Sequence, residues 1–411
     1  MNKQINYTQN TLMFDVIILG AGAAGMMCAI TAAREGKKVL VLEKLPKIGA
    51  KIKATGGGKC NLTNTLDIEE FMSSFGKNGR FMRDALLRFN NKKTIEFFES
   101  IGVKTDCLDG FRVFPDSHNS SSVLYALSNE MARLHVEIIC SYNTKNIDAQ
   151  NGKVDDFKTK NIVIATGGLG YPILGASGDG YEFAKTQGHK VTELSPAMMP
   201  LHVKETWVKN CRADTIPKAQ IIVNIPKYKK LKATGDLIFT KNGIRGPVVL
   251  DFAREITPLL KKYGEVPLHV SLISGKNEED IFLHVKKNSD KNILEIISML
   301  LPQSVAIELL KLCQIEPTCR YKNIDGIKRD KLIKILVKTP LTVNGHDSFE
   351  KAMITRGGVS LKDINPKTMQ SKLVKGLYFC GEVVDLDGKC GGYNLQWSFS
   401  SGYLAGELKD V

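Results

Sequence analysis

The order of hydrophobic and polar positions near the start of the chain predicts a strand, a helix and a second strand. Val16 to Leu19 form a short apolar run typical of a buried strand, and Val39 to Leu42 form another. Between them, the small and apolar residues from about Ala23 to Arg34 indicate a helix, which ends before Gly36. This order predicts a βαβ unit, in which a helix joins two parallel strands.

Glycines occupy the turn between the first strand and the helix. Gly20, Gly22 and Gly25 have the spacing G-x-G-x-x-G, in which the first glycine allows a tight bend, the second lets the backbone approach a pyrophosphate, and the third lets the helix pack closely on the strand. Glu43 follows the second strand, where its carboxylate can accept hydrogen bonds from an adenosine ribose and repel a 2′-phosphate. The unit predicts a bound dinucleotide and leaves NAD and FAD open.

The segment after Glu43 favours FAD. In an NAD enzyme the chain usually continues into the next helix, whereas here "KLPKIGAKIKATGGGKCNLTN" forms a long loop rich in glycine and lysine, suited to lie along an extended cofactor. We expect the backbone amides of the glycines to form an anion-binding concavity, the lysines to neutralise a pyrophosphate, and the asparagines to hydrogen-bond a planar heterocycle. These residues are Gly56 to Gly58, Lys51, Lys53, Lys59, Asn61 and Asn64.

Two further glycine clusters follow short apolar strands. In "NIVIATGGLGYP" the strand Ile162 to Ala165 leads to Thr166, Gly167 and Gly168. Near the end, the strand Leu377 to Cys380 leads to Gly381 and Glu382, and Gly391-Gly392-Tyr393-Asn394 opens a helix that runs to about Ala405. The N-terminal dipole of that helix would stabilise negative charge at N1 and O2 of a flavin.

The pattern of apolar and polar residues changes in the middle third of the chain. Short β-rich runs from about Met198 to Ile273 suggest a small antiparallel barrel or sheet, and apolar residues at helical spacing follow from Asn277 to Lys338. We therefore predict a first part of an FAD-binding domain at 1–190, an inserted β-rich subdomain at 191–275, an inserted helical subdomain at 276–338, and the second part of the FAD-binding domain at 339–411. The inserted pieces would cover the flavin on its substrate side.

Composition and charge limit the classes of ligand and partner that the chain is expected to bind. The chain of 411 residues carries a formal net charge of +14, which favours anionic ligands, but its densest basic run, "KYKKLK" from Lys227 to Lys232, is short and has no arginine to read bases. We expect a small-molecule substrate and do not expect nucleic acid as the main partner. The oligomeric state is left open.

The cysteines and the start of the chain favour a reduced, cytoplasmic protein that does not span a membrane. The nine cysteines have no C-x-x-C pair and no metal-ligand spacing with the seven histidines, and the first residues lack the apolar core of a signal peptide. No metal site is predicted. The nine are Cys28, Cys60, Cys107, Cys140, Cys211, Cys313, Cys319, Cys380 and Cys390.

The chain resembles the BaiN-like or YhiN-like flavoproteins, also called the aminoacetone-oxidase family, of NAD(P)/FAD-dependent oxidoreductases. The resemblance spans nearly the whole length through "GAGAAGM", "ATGGGKCNLTN", "GFRVFPDS", "IATGGLGYPILGASGDGYEFA", "GDLIFTKNGIRGPVVL" and "GGYNLQWSFSSG". It implies an α/β fold: a two-dinucleotide-fold, Rossmann-like FAD-binding domain with an inserted β-barrel-like subdomain and a small helical subdomain. It implies FAD contacts at Gly20, Gly22, Ala24, Gly25, Glu43, Lys44, Lys51, Thr55, Gly56, Gly57, Gly58, Lys59, Cys60, Asn61, Asn64, Thr166, Gly167, Gly168, Gly381, Glu382, Gly391, Gly392, Tyr393, Asn394, Leu395 and Gln396.

The chain departs from the family pattern at several positions. Lys59 stands where the family usually has arginine, Lys241 and Arg245 stand in "FTKNGIRGP" where the family commonly has "FTHxGISGP", and Cys390 stands where a small or hydroxyl residue is usual. The segment between Ile139 and Ile162 is shorter than the strand meander that the family usually has there. These departures bear mostly on the substrate.

Three side chains are candidates for chemistry beside the flavin. Cys60 lies among lysines and loop amides that would lower its thiol pKa and make it a nucleophile, against the alternative that it only packs. Tyr393 and Tyr171 are candidate proton donors, with structural packing as the alternative. Arg245 and Lys241 would either bind an anionic group of the substrate or be solvated. Asp179 with Glu182 indicates a helix capping box. His189 follows the end of a helix, which favours a structural role for it.

The predicted function is an FAD-dependent oxidoreductase that transfers hydride through flavin N5. Only one G-x-G-x-x-G unit is present and no C-x-x-x-x-C dithiol, so NAD(P)H would dock transiently in the substrate cleft. The family suggests NAD(P)H-linked reduction of a conjugated double bond, which we favour, or oxidation of a small amine such as aminoacetone. An RNA-modifying flavoprotein, motivated by the positive charge, and a flavin-based redox or electron-transfer protein stay open as alternatives.

Overall fold

The computed structural model describes residues 13–410, which divide into two compact units. The first unit contains the residues up to Ser195 and from Ile354 onward, and the second contains Pro196–Met353. No helix among the described residues is long and apolar enough to cross a membrane. Each unit has its own hydrophobic core.

The first unit is built on a seven-stranded sheet. Four parallel strands lie side by side in the order β6, β2, β1, β9. β18 pairs in parallel with the end of β9. At the start of β9, β8 pairs with it antiparallel, and β7 pairs antiparallel with β8. Ile17 in β1 lies between Leu40 of β2 and Ile162 of β9, and all three are buried. The strands of this unit are β1 Met13–Leu19, β2 Val39–Leu42, β3 Thr63–Asn64, β4 Thr105–Asp106, β5 Arg112–Pro115, β6 Glu137–Ile139, β7 Ile147–Asp148, β8 Lys153–Val154 and β9 Phe157–Ile164, followed late in the chain by β17 Ile354–Arg356 and β18 Leu377–Phe379. β10, Ser195–Ala197, lies at the boundary of the units.

Two helices of the first unit pack against each other through glycine. Gly402 and Gly406 lie on the last helix, where a Cβ atom would overlap Ala24 O or come within 2.6 Å of Cys28 O on the first helix. This backbone approach places the second half of the last helix against the first two turns of the first helix. The helices of the unit are α1 Ala23–Arg34, α2 Ala50–Ala54, α3 Ile68–Ser73, α4 Arg83–Arg88, α5 Asn91–Ser100, α6 Ser120–Arg133, α7 Asp179–Thr186 and α13 Tyr393–Gly406.

The second unit is a closed barrel with helices on the same core. The barrel order is β11, β14, β13, β12, β15, β16, with antiparallel pairing throughout. Its strands are β11 Leu201–Val203, β12 Thr215–Val223, β13 Lys232–Phe239, β14 Gly243–Arg245, β15 Val266–Ser271 and β16 Thr339–His346. Its helices are α8 Pro247–Tyr263, α9 Glu278–Lys287, α10 Ile293–Ser298, α11 Gln303–Leu312 and α12 Gly326–Val337.

The structure corrects one predicted boundary. The second part of the FAD-binding domain is predicted to begin at residue 339, but Thr339–His346 forms β16, which pairs with β15 and β11 and closes the barrel. The first unit resumes at Ile354. The helical segment and the β-rich segment share one core, so they form a single unit. The fold class itself, an α/β Rossmann-like domain with a barrel, is confirmed.

Candidate active site

The first glycine turn has the geometry of an anion site. Gly20 has φ 100°, and a Cβ atom there would lie 2.7 Å from Ala165 O; a Cβ atom on Gly25 would overlap Gly20 O. Gly22 differs, because a Cβ atom on it would meet nothing within 4 Å. Helix α1 begins after Gly22 without a side-chain cap, so no capping side chain occupies its first-turn N–H groups, which lie at the positive end of the helix dipole.

Glu43 connects this turn to the end of β2 through hydrogen bonds. Its Oε2 accepts a hydrogen bond from the Ala21 N–H at 2.8 Å, and its Oε1 accepts one from the Leu45 N–H at 2.8 Å. A carboxylate has about four acceptor positions, so two are left for ribose hydroxyls. Glu43 therefore shapes the glycine turn, a role beyond the ribose contact that its position in the sequence predicts.

The glycine-rich loop has a backbone that favours glycine. Gly56, Gly57 and Gly58 have φ values of 57°, 66° and 90°, and Cβ atoms on Gly57 and Gly58 would meet nothing within 4 Å. The bare amides therefore border open space, as an anion-binding loop requires. Lys53 and Lys59 are exposed, whereas the Lys51 ammonium forms an ion pair within the protein.

Asn61 and Asn64 join this loop to the start of α13. Asn64 Nδ2 donates to Gly391 O at 2.9 Å, and with the Asn61 amide oriented to suit its neighbours, its oxygen accepts from the Gly392 N–H at 3.0 Å. A Cβ atom on Gly392 would lie 2.5 Å from Thr63 O, so the two segments touch through backbone. Both amides hold the junction, which differs from the predicted hydrogen bonds to a heterocycle.

Glu382 links three distant segments. Its Oε2 lies 3.2 Å from Lys51 Nζ, and its Oε1 accepts from the Thr355 N–H at 2.8 Å. Thr355 Oγ1 in turn accepts from the Leu169 N–H at 2.7 Å. A Cβ atom on Gly168 would overlap both Glu382 and Thr355, which explains the glycine at that position.

The glycine clusters predicted from sequence therefore meet in space. The first turn meets the Ala165–Gly168 segment at Gly20, and Gly381 packs against the first turn of α1, where its Cβ would lie 2.7 Å from the Cβ of Ala24. The Thr166 Oγ1 and Thr63 Oγ1 atoms are buried among these segments and have no protein hydrogen-bond partner. Open space beside Gly22, a free helix start and two unpartnered hydroxyls fit an extended, phosphorylated ligand such as FAD.

A small cleft borders Glu382 and the start of α13. Its lining mixes apolar and polar side chains: Ile354, Thr355, Glu382, Leu386, Asp387, Asn394, Trp397 and Ser398. Helix α13 has Gly392 as its N-cap, with φ 83° and no side-chain cap, so its first N–H groups also lack a capping acceptor. We take this cleft as the candidate substrate side of the site.

Sequence reasoning missed five of these residues in addition to Thr355. Trp397 and Ser398 follow Asn394 by three and four positions, so they lie on the same face of α13, and that spacing is a usable signal. Ile354 and Thr355 precede the "GGV" motif at Gly357, and Leu386 and Asp387 follow Glu382 in a loop; nothing local in the sequence singles them out.

The three predicted catalytic residues do not line this cleft. Cys60 is fully buried, and burial raises the pKa of its thiol to about 11, so the predicted lowering of its pKa is wrong. The ring of Tyr393 packs 4.9 Å from Phe71 and lies near Phe75 and Phe111. Tyr171 is partly exposed, has φ 55° and precedes the short 3₁₀ turn Pro172–Leu174.

Several other predicted residues have structural partners. Lys44 Nζ lies 2.8 Å from Asp179 Oδ2, and α7 begins after Gly178 without a side-chain cap, so the predicted Asp179–Glu182 capping box is absent. His189 Nε2 lies 2.7 Å from Ser371 Oγ in the core, and burial lowers its pKa. Gln396 Nε2 donates to Phe89 O at 3.1 Å inside the core, and Leu395 packs partly buried against it. Lys241 and Arg245 are exposed residues of the second unit.

The fold and the site together define an FAD-dependent oxidoreductase, and comparison with known proteins supports this class. A model of the HI0933-like protein Rossmann domain matches residues 14–408, so the chain belongs to the HI0933-like family.

At least three relatives extend over almost the whole chain. The 3-dehydro-bile acid delta(4,6)-reductase of Clostridium scindens is 31% identical over 402 residues, which cover 95% of this chain and 97% of the relative. The ribosomal RNA dihydrouridine synthase of Haemophilus influenzae is 31% identical over 399 residues, which cover 94% and 96%. The crystal structure of a 3-ketosteroid-delta4-(5alpha)-dehydrogenase from Rhodococcus jostii matches with a TM-score of 0.50 and 15% identity over 98% of this chain and 97% of that one, which shows the shared fold.

Proposed function

We propose that the protein uses FAD to reduce a carbon–carbon double bond conjugated to a carbonyl group, with NAD(P)H as the electron donor. The observation that carries this proposal is the chemistry shared by two of the whole-length relatives. The first name describes a delta(4,6)-reductase of a 3-keto compound and the second a synthase of dihydrouridine, and a 3-keto-4,6-diene and the uracil ring both contain a C=C bond conjugated to C=O. The substrates differ greatly in size, so the common element is the reacting bond.

When bound, FAD would supply a hydride equivalent for the carbon β to the carbonyl, and the α carbon would gain a proton. The protein supplies the rest. The free N–H groups at the start of α1 and the open backbone at Gly22 would hold the pyrophosphate. The N-terminus of α13 would stabilise negative charge that develops next to it.

The cleft residues would position the substrate. Apolar surfaces from Ile354, Leu386 and Trp397 would hold a planar unsaturated group, and Thr355, Asn394 and Ser398 form the polar part of the lining. The Asn394 amide is fixed by two hydrogen bonds to Gly388, with Gly388 N–H to Oδ1 at 2.8 Å and Nδ2 to Gly388 O at 3.0 Å. A fixed side chain contributes orientation without being ordered at each turnover.

The test has two stages under anaerobic conditions. The purified flavoprotein is mixed with NADH or NADPH in a stopped-flow instrument, and bleaching of the oxidised flavin is followed. Flavin reduced in this way is then mixed with a steroid 3-keto-4,6-diene, and reoxidation is expected to be faster than with the saturated ketone. A flavin that stays oxidised with both nucleotides contradicts the NAD(P)H part; a reduced flavin that reacts equally with both ketones contradicts the C=C part.

A second candidate substrate is the uracil base of RNA. It is favoured by the relative from Haemophilus influenzae and by the formal net charge of +14. Incubation of the reduced enzyme with a ribosomal RNA transcript, followed by nuclease digestion and mass spectrometry, would detect a uridine heavier by two hydrogens. Absence of that nucleoside at conditions where the flavin is fully reduced would remove this candidate.

A further inference from the structure

The basic run from Lys227 to Lys232 lies on the surface of the second unit. Residues Pro226–Tyr228 form a short 3₁₀ turn before β13, and Lys227, Lys229, Lys230 and Lys232 are all exposed. From sequence this run contains one aromatic residue, Tyr228, and resembles an ordinary solvated surface.

The fold brings a second aromatic and another lysine to this run. Tyr263 at the end of α8 lies with its ring centroid 6.2 Å from that of Tyr228, at an interplanar angle of 72°. Lys262 Nζ lies 5.0 Å from the centroid of the Tyr263 ring. Tyr263 remains 45% exposed, so part of its ring is open to solvent. We call Lys227, Tyr228, Lys229, Lys230, Lys262 and Tyr263 the basic tyrosine patch.

The positive charge of this patch is not neutralised by the protein. Within residues 13–410, Lys227, Lys229, Lys230 and Lys262 form no ion pair with a carboxylate, and the nearby Glu265 is paired with Lys204. A hydrogen bond with Tyr228 and the ammonium group of Lys262 lower the pKa of the Tyr263 phenol, and Lys227 contributes to the same lowering. The ammonium groups and the two rings thus form one electrostatic cluster.

We propose that the basic tyrosine patch binds single-stranded RNA, with the lysines contacting phosphates and Tyr263 stacking on a base. Stacking on an aromatic side chain is tolerant of sequence, as is contact between lysine and phosphate, and the patch contains no arginine. Charge alone would also attract an anionic membrane, but the pair of tyrosines set among the lysines is the combination that single-stranded nucleic acids use. This inference concerns binding and does not depend on which double bond the flavin reduces.

The test uses the full-length flavoprotein and a fluorescein-labelled oligouridylate of twelve nucleotides. Binding is measured by fluorescence anisotropy without reductant, over a range of salt concentrations. The variant K227E/K230E/K262E is compared with K276E/K287E/K322E, which changes the same number of exposed lysines in the same unit. Melting temperature and FAD content are recorded for both, which shows that each is folded.

The patch variant is expected to bind the oligonucleotide at least roughly tenfold more weakly at about 0.1 M salt, because each phosphate contact with a single strand contributes about 0.7 to the slope of log affinity against log salt. That slope should fall by roughly two in the patch variant and much less in the control variant. Tyr263→Ala should weaken binding roughly fivefold or more at an unchanged slope, and Tyr263→Phe should restore it.

Equal weakening in the two triple variants would overturn the proposal, because it would show that only total charge matters. The proposal is also overturned if the wild type binds vesicles of phosphatidylserine through the patch and does not bind the oligonucleotide. Since no flavin reaction is measured, failure here leaves the proposed reduction untouched, and failure of the reduction assay leaves this binding result standing.

Discussion

Lys51 and Glu382 form an ion pair with 3.2 Å between Nζ and Oε2, although 331 positions separate them in the chain. The pair joins the helix before the glycine-rich loop to the segment that follows the last parallel strand. Both side chains are partly buried. It is one of the contacts that bring the glycine clusters to one place.

Removing Glu382 should destabilise this junction more than removing Lys51. Glu382→Ala leaves the Thr355 N–H without its acceptor and Lys51 without its partner, so we expect a loss of about 1–3 kcal/mol in the free energy of unfolding. Lys51→Met should cost about 1 kcal/mol or less, because the pair is partly solvated. Denaturant unfolding of the apoprotein measures both. Glu96→Gln, an exposed change on α5, serves as control, and equal effects of the two junction variants would contradict this account.

Cys60 should be unreactive in the folded protein. Burial raises its thiol pKa from an ordinary value near 9 to about 11, so very little thiolate exists at neutral pH. We expect iodoacetamide at pH 7.5 to modify it far more slowly than free cysteine, and Cys60→Ser to keep the rate of flavin reduction within roughly twofold. Peptide mass spectrometry after timed quenching measures the modification. Rapid labelling of Cys60, or a large loss of reduction rate in the variant, would restore it as a nucleophile.

The raised pKa of the Cys60 thiol makes the stability of the fold depend on pH, and the direction of that dependence is fixed. The folded state keeps the Cys60 proton to a higher pH than the unfolded state does, so this contribution to stability is fully present below about pH 9 and is lost as pH rises through about 11. Cys60→Ala should therefore lose less stability than the wild type between these values. Unfolding curves across that interval test it, and parallel curves for the two proteins would contradict it.

Glu130 should contribute to the acid stability of the first unit. Its carboxylate contacts Arg34 Nη2 at 2.6 Å and Arg133 Nε at 2.7 Å, and hydrogen bonds with Arg133 and Arg34 lower its pKa to about 2 against partial burial. A lowered pKa stabilises the fold above the unfolded value of 4.5, and that stabilisation is lost as pH falls towards 2. Because the arginines are exposed, we expect about 1–2 kcal/mol. Glu130→Gln should remove this component, so its stability should fall less steeply with acid than that of the wild type; an unchanged acid profile would contradict the assignment.

Local parts of the site could be predicted from the sequence, and parts that depend on distant pairing could not. The turn from Gly20 to Gly25 and the start of α13 are defined by glycines next to apolar runs, so their geometry is contained in a few neighbouring residues. The partners of Glu382 come from segments around residues 51 and 355, and Thr355 in turn accepts a hydrogen bond from Leu169; nothing near Glu382 in the sequence specifies these contacts.

The side chains whose surroundings differ from the sequence expectation share a physical cause. The expectation for Cys60 counted the lysines beside it in sequence and not its complete burial, which dominates the thiol pKa. Asn61 and Asn64 are expected at a ligand because polar side chains in a glycine-rich loop need partners, and in the structure the backbone of Gly391 and Gly392 supplies partners to both amides. The barrel strand Thr339–His346 follows a helix directly, so its return to the barrel depends on pairing with strands far away in the chain.

The most direct test of the central claim, that the bare backbone at the first glycine turn holds FAD, is the affinity of Gly22→Ala for FAD. Gly22 has φ −83°, an ordinary value for alanine, and a Cβ atom there meets no protein atom within 4 Å; because alanine is a poorer N-cap than glycine, the apoprotein should lose about 1 kcal/mol or less in the free energy of unfolding. The same Cβ atom would occupy the space that a pyrophosphate needs, so titration of the deflavinated variant should show FAD binding at least roughly tenfold weaker, about 1.4 kcal/mol. Wild-type affinity for FAD in this stable variant would contradict the account.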